Sequence, residues 1–324
     1  MKLRNLLACG VALLATCVLP PTALAQDYPN RPVKVVVGYA PGGGTDIFAR
    51  LIAERMGRAL GQTMVVENKA GANGNIAAEQ VGKGPADGYN LLFVVNTHVT
   101  NVFMYTRLAY DPIKDFSPVG LVVATPLLLV ANPAFPPNSL PELLAFAKAN
   151  PGKATFATPG MGSPAHLTIE MLKAGAGVDI QVIHYKGAGP AQSDVMAGHV
   201  HMQIPTLAQA LPQAKASKIK LLAQTGLARS AQVPDLPTIA EQGLPGFQSD
   251  IWFALLAPAA TPPAVVARLN RALNEVLAQP ETIAKLREMG GDPIGGAAEQ
   301  AVKVMRDDQA KWQKVIKDVG IKPE

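Results

Sequence analysis

Apolar, strand-like runs alternate with helix-spaced segments twice along this chain, and glycine turns join strand to helix at several junctions. The first instance reads VVVGYAPGGGTDIFARLIAERM, residues 35–56. Val33-Lys34-Val35-Val36-Val37 is β-branched and bounded by Pro32 and Gly38, which predicts a strand. After Gly42-Gly43-Gly44, residues Ile47, Phe48, Leu51, Ile52, Arg55, Met56 and Leu60 recur at helical spacing. Residues 64–67 predict a second strand, 75–81 a helix and 90–95 a third strand. That order is the signature of a parallel sheet with crossover helices.

An apolar strand over 121–131, broken at Pro126, leads into a second cycle. Ser139 and Pro141 open a helix over 140–149, an N-cap followed by proline in the first turn. A strand at 154–157, a helix at 165–175, a strand at 180–185, a helix at 188–197 and strands at 201–204 and 221–224 follow. The tail holds a strand at 251–257 and helices at 262–278, 283–289 and 299–319. The pattern predicts an α/β protein of two lobes, each a sheet flanked by helices. Lobe 1 is expected over 26–124 plus 236–324 and lobe 2 over 125–235. Two strands near Val122 and Leu222 cross between them as a hinge. The C-terminal helices have no sheet of their own and are expected to pack on lobe 1. Ligands of open α/β sheets sit beyond the carboxyl ends of the strands, which places a ligand in the cleft between the lobes.

Composition narrows the function. With 48% apolar and 16% charged residues over 324 positions, the chain can bury a sizeable core. Lys2 and Arg4 precede an apolar run from 6 to 19, and Ala23-Leu24-Ala25 precedes Gln26. This is read as a secretory signal peptide over 1–25, cleaved on export. Leu14-Ala15-Thr16-Cys17 is a poor match to a lipid-attachment site. Both cysteines, Cys9 and Cys17, lie in that segment, so the exported protein is expected to have no disulfide and no thiolate chemistry. Loss of Lys2 and Arg4 takes the net charge from +5 to about +3, with no basic run, which argues against nucleic acid. No later stretch is long and apolar enough to span a bilayer, so a soluble periplasmic protein, as a monomer, is expected.

The glycine turns carry the chemistry. Gly42-Gly43-Gly44-Thr45-Asp46 follows a strand and opens a helix. Its backbone N–H groups are free to face an anion, and Thr45 or Asp46 can cap the helix. No lysine follows as in G-x-x-x-x-G-K-[ST], and the pattern is not G-x-G-x-x-G, so a carboxylate suits the loop better than a polyphosphate. Gly71-Ala72-Asn73-Gly74-Asn75, Asn96-Thr97-His98, Gly160-Met161-Gly162-Ser163 and Tyr185-Lys186-Gly187 occupy equivalent strand-to-helix positions. Ser163 is both a plausible N-cap and a plausible donor, and Lys186 a candidate counter-charge. Ser163 with His166 resembles a nucleophile and base, but G-x-S-x-G is absent. His199 and His201 alternate without a neighbouring carboxylate, a poor metal site. No metal or cofactor is expected. Trp252 reads as core, or as a wall of the cleft.

With these motifs in order, the chain resembles the Bug family, the extracytoplasmic solute-binding receptors of tripartite tricarboxylate transporters. The resemblance rests on YPNRPVKVVVGYAPGGGTDIFAR, VVENKAGANGNIAAE, TPGMGSPAHL, HYKGAGPA and WFALLAPAATPPAVVARLN, and covers nearly all the chain after residue 25. It implies a two-lobed, type II periplasmic-binding-protein fold that closes on a small mono-, di- or tricarboxylate and presents it to membrane permease subunits, without catalysis. By motif match, lobe 1 contributes Gly43, Gly44, Thr45 and Asp46, with Asn75 and Thr97. Lobe 2 contributes Gly162, Ser163 and His166, with Tyr185, Lys186 and Gly187. His166 is expected mainly to hold its loop. The family often carries an acidic residue where this chain has Pro205-Thr206-Leu207, which leans away from an amine-bearing ligand. A sensor docking on a membrane kinase and a secreted hydrolase using Ser163 and His166 are the alternatives.

Overall fold

In a computed structural model of the chain, residues 28–321 are described. The expected signal peptide, with Cys9 and Cys17, lies outside the described residues. The first cycle is β1 (Val33–Val37), α1 (Gly44–Leu60), β2 (Met64–Asn68), α2 (Asn75–Gly82), β3 (Asn90–Val95) and the short α3 (Thr97–Thr100). β4 (Phe116–Pro126) leads directly into β5 (Leu128–Ala131). The second cycle is α4 (Leu140–Ala149), β6 (Thr155–Thr158), α5 (Pro164–Ala176), β7 (Gln181–His184), α6 (Ala188–Ala197), β8 (Met202–Gln203), α7 (Leu207–Lys215) and β9 (Lys220–Gln224). β10 (Asp250–Pro258), α8 (Pro263–Ala278), α9 (Pro280–Glu288), β11 (Asp292–Gly295) and α10 (Ala298–Asp318) complete it.

Two mixed sheets result, ordered β11-β4-β10-β3-β1-β2 and β7-β6-β8-β5-β9. β1 pairs in parallel with β2 and β3, and β6 in parallel with β7 and β8, as crossover helices require. The strands entering from the other lobe break the parallel pattern. β10 runs antiparallel to β3 and β4, and β5 antiparallel to β8 and β9. β1 is apolar and buried except at Lys34, because helices cover both faces of the sheet. On one face Phe253 of β10 packs against Phe48 of α1 and Phe93 of β3, with ring centroids 4.9 and 5.9 Å apart. Burying one such ring contributes about 1.5–3 kcal/mol. On the other face Trp252, Ala254 and Leu256 meet Ala301 and Met305 of α10. The C-terminal helices thus pack on the first sheet, as their lack of strands implied.

Where the chain passes between the two sheets, three segments form a buried knot of hydrogen bonds. Leu127 N–H donates to Thr225 Oγ1 (2.8 Å), and Thr225 N–H donates to Leu127 O (3.0 Å). The Thr225 hydroxyl spends its proton on Ser249 O (2.6 Å), and Ser249 N–H returns a bond to Thr225 O (3.0 Å). Every polar group in this knot has a partner, as burial demands. The first crossing falls at Pro126-Leu127, close to the break read from the sequence. Residues 236–249 were expected in lobe 1. Instead, Ile239 N–H bonds Gln224 O, and the Gln242 side chain bonds Leu222 O and the Leu140 N–H. These residues pack against β9 and α4 before the chain crosses back at Ser249-Asp250.

Candidate ligand-binding cleft

Four helices begin at one small cavity between the lobes. Gly43, Gly44 and Thr45 bring the start of α1 to it, and Ser163, Pro164 and Ala165 the start of α5. Ala188 is the first residue of α6, and Thr206 the N-cap of α7. First-turn N–H groups have no intrahelical partner, and each helix start carries partial positive charge. The cavity, of about 50 Å³, is lined by no charged side chain. Tyr39 and Pro159 separate it from a second space of about 160 Å³, lined by Asn73, Tyr105, Tyr185 and Lys186 among others. An anion placed in the first cavity would be held by backbone dipoles rather than by a counter-ion.

The lobes are closed on each other here. A Cβ on Gly44 would lie 2.3 Å from Thr206 Oγ1, across the cleft. One on Gly189 would lie 2.4 Å from Pro41 O, and one on Gly162 2.5 Å from Met104 Cγ. Gly187 is doubly constrained: its φ of 134° disfavours any side chain, and a Cβ would meet Ala40 N at 2.9 Å. These glycines therefore serve close approach of the two lobes as well as turning the chain.

The expected residues divide by role. Gly43, Gly44, Thr45 and Ser163 line the first cavity, and Tyr185 and Lys186 the second. Asp46 does not line either. Its carboxylate accepts from Gly42 N–H (3.0 Å), Arg50 Nε (3.1 Å) and Asn68 Nδ2 (2.9 Å), which ties the glycine loop to β2. Burial works to raise the Asp46 pKa, but the bonds from Arg50, Gly42 and Asn68 outweigh it and hold the carboxyl below its usual range. Thr97 and Asn75 stand behind the cleft. The Tyr39 hydroxyl donates to Asn73 Oδ1 and meets Thr97 Oγ1, both at 2.8 Å. Asn75 Oδ1 accepts from Tyr110 (2.8 Å) and from Asn101, so its carbonyl is already taken. Tyr185 donates to Asp194 (2.5 Å), and burial together with that carboxylate raises its pKa to about 12. Gly162 and Gly187 are interlobe contacts.

Ser163 and His166 are not a nucleophile and base. Ser163 Oγ caps α5 by accepting from His166 N–H (3.2 Å). His166 Nδ1 accepts from Gly162 N–H (2.9 Å), so in the neutral ring the proton sits on Nε2 and no lone pair is left to take one from a serine. Burial, with His184 nearby, lowers the His166 pKa to about 3 and keeps the ring neutral. Holding the loop is what this histidine does.

The model of the tripartite tricarboxylate transporter family receptor matches residues 48–321. The chain belongs to this receptor family. Among solved structures it is similar to Rhodopseudomonas palustris Rpa4515 with adipate, at TM-score 0.90 and 38% identity, covering 92% of this chain and all of that one. The periplasmic binding protein BugD gives 0.89 and 36%, with the same coverage. MatC from R. palustris with bound malate gives 0.85 and 34%, covering 89% of this chain and all of that one. These are binding proteins and receptors, not enzymes, and the two-lobed fold is theirs.

Several residues of this receptor's cleft were not singled out in the sequence. Tyr39 touches both spaces, and Thr206 and Gln209 of the α7 start complete the first. Tyr39 lies two residues after β1, at the head of the glycine turn, the one signal that marked it. Pro205 and Thr206, noted as a departure from an acidic residue, line the cavity. Trp252 is no cleft wall. It lies on the α10 face, 7% exposed, with Nε1 donating to Asp308 (3.0 Å), while its neighbour Ile251 lines the cavity. His201 Nδ1 accepts from Thr155 N–H (3.1 Å) and its ring stacks on Phe135, and exposed His199 faces Asp194. Among the described residues no His/Cys/Asp/Glu group of three or more could hold a metal.

Proposed function

We propose that this chain is a periplasmic receptor that captures a small carboxylate between its lobes and offers the closed complex to the permease subunits of a tripartite tricarboxylate-type transporter. The observation that carries the reading is the meeting of four helix starts around an interlobe cavity with no charged lining residue. A carboxylate has acceptors on both oxygens, and dipoles from both lobes reach it only when the lobes are shut. Binding then favours the closed state by its differential affinity, and the hinge at Leu127, Thr225 and Ser249 absorbs the motion. Gly43, Gly44, Thr45 and Ser163 are the contacting residues. Asp46, Asn75, Thr97, Gly162, His166 and Gly187 shape the loops, and Tyr185 and Lys186 guard the second space. The adipate and malate of the related structures support a carboxylate. The basic and apolar start of the chain, ending in Ala23-Leu24-Ala25, supports export.

A thermal-shift screen of mono-, di- and tricarboxylates tests the reading, since a ligand of the folded state raises the melting temperature. At least one carboxylate is expected to raise it, and Gly43→Val, whose side chain would enter the contact with Ala188 across the cleft, to abolish the shift. Failure of every carboxylate would overturn the reading.

A further inference from the structure

An apolar cluster beside the cleft joins the two lobes. Along α10, Ala301, Met305, Trp312 and Ile316 form one buried stripe at helical spacing. The first half of the stripe, Ala301 and Met305, packs on the first sheet with Trp252. The second half does not. Trp312 and Ile316 form a separate cluster with Met104, which follows β3 and α3, and with Leu167 of α5. α5 belongs to the second sheet, and its stripe toward that lobe's core is Ala165, Ile169 and Leu172. Leu167 lies off that stripe, on the side that meets α10. It is 1% exposed, and Met104 and Trp312 are fully buried. None of these four buried residues lines either cavity.

Parting the lobes would strip Leu167 from Trp312 and Met104 and put apolar surface of both lobes into water. That cost does not depend on what the cleft holds. We infer that Trp312, Ile316 and Met104 form an apolar latch on Leu167 that favours the closed lobes with or without ligand. The latch raises affinity for every ligand by a common factor and selects none of them. Opening at a membrane partner then has to break apolar packing as well as release the ligand. The latch shares the closing motion of the carboxylate reading above and goes beyond its chemistry.

Trp252→Phe leaves Trp312 as the one tryptophan of the chain and serves as the parent protein. In that parent, Leu167→Glu puts a charge where closure would strip its water, so the lobes should part. Acrylamide quenching of the ligand-free protein should be several-fold stronger with Leu167→Glu than in the parent, and the emission maximum should move to the red. In calorimetric titrations, each carboxylate that raises the parent's melting temperature should bind at least about tenfold more weakly, all by the same factor. Leu167→Met keeps the side chain apolar and should behave as the parent. Urea unfolding should show Leu167→Glu folded. A variant that fails to fold would place Leu167 in the core of its own lobe and overturn the latch. Unchanged quenching in the ligand-free variant would overturn it too, as would a loss of affinity for one acid alone. The quenching arm uses no ligand, so it decides the latch even if no carboxylate binds and the carboxylate reading falls.

Discussion

Gly44→Ala should weaken ligand binding without weakening the fold. The added Cβ would lie 2.3 Å from Thr206 Oγ1, 2.5 Å from its Cγ2 and 3.0 Å from its Cβ, all across the cleft. Thr206 cannot easily yield. It is β-branched, and its hydroxyl caps α7. Overpacking of this kind costs about 1–3 kcal/mol, and it is felt only when the lobes are shut. Apparent affinity for a carboxylate that shifts the wild-type melting temperature should therefore fall about 5- to 150-fold. Gly44 lies in the first turn of α1 and outside the left-handed region, so alanine is compatible with its backbone. The ligand-free melting temperature should hold or rise slightly. Adding Thr206→Ala removes the two nearest atoms and should restore much of the affinity, at a cost of about 1 kcal/mol for the lost cap. Titration calorimetry on the four proteins measures the cycle. Wild-type affinity in Gly44→Ala, or a ligand-free stability loss matching the affinity loss, would refute the claim that this contact forms on closure.

Acid should destabilise the protein through two buried histidines. Burial lowers the His98 pKa to about 4 and that of His166 to about 3, so between pH 6.5 and those values the unfolded chain binds protons that the folded one does not. Stability is then full above about pH 6.5 and falls as pH drops toward 3, by up to about 1.4 kcal/mol per pH unit for each histidine. Urea unfolding should show that slope, and His166→Gln should lessen it. Tyr39→Phe strips the bonds to Asn73 and Thr97 and should cost about 1–3 kcal/mol in denaturant titrations, with weaker ligand binding. Trp252→Phe loses its bond to half-buried Asp308 and should cost a similar amount, yet leave affinity unchanged because it faces α10.

The strand–turn–helix junctions were legible because two local signals coincide there: an apolar β-branched run ends, and glycines meet a helical period. Gly43, Gly44 and Ser163 were found this way. Ser139 with Pro141, and Ser163 with Pro164, marked helix starts by capping chemistry alone. α7 was not visible because Pro212 interrupts a helix of nine residues, and with it went Thr206 and Gln209. β11 is four residues long, contains Pro293, and sits at a sheet edge, where proline is tolerated but a strand pattern is faint. The attachment of residues 236–249 to lobe 2 depends on long-range bonds to Leu222, Gln224 and Leu140, which no local period announces. Asn75 and Thr97 showed the right residue types at the right sheet edge. Only the structure shows their side-chain oxygens already engaged by Tyr110, Asn101 and Tyr39.

The central claim is that the helix starts of both lobes hold an anionic carboxylate. Its most direct test is calorimetric titration with the best-binding carboxylate and with its primary amide, which has the same shape and no charge. Charge-assisted hydrogen bonds are roughly twice as strong as neutral ones, so the amide should bind on the order of a hundredfold more weakly, or not measurably. Equal affinity for acid and amide would contradict the account.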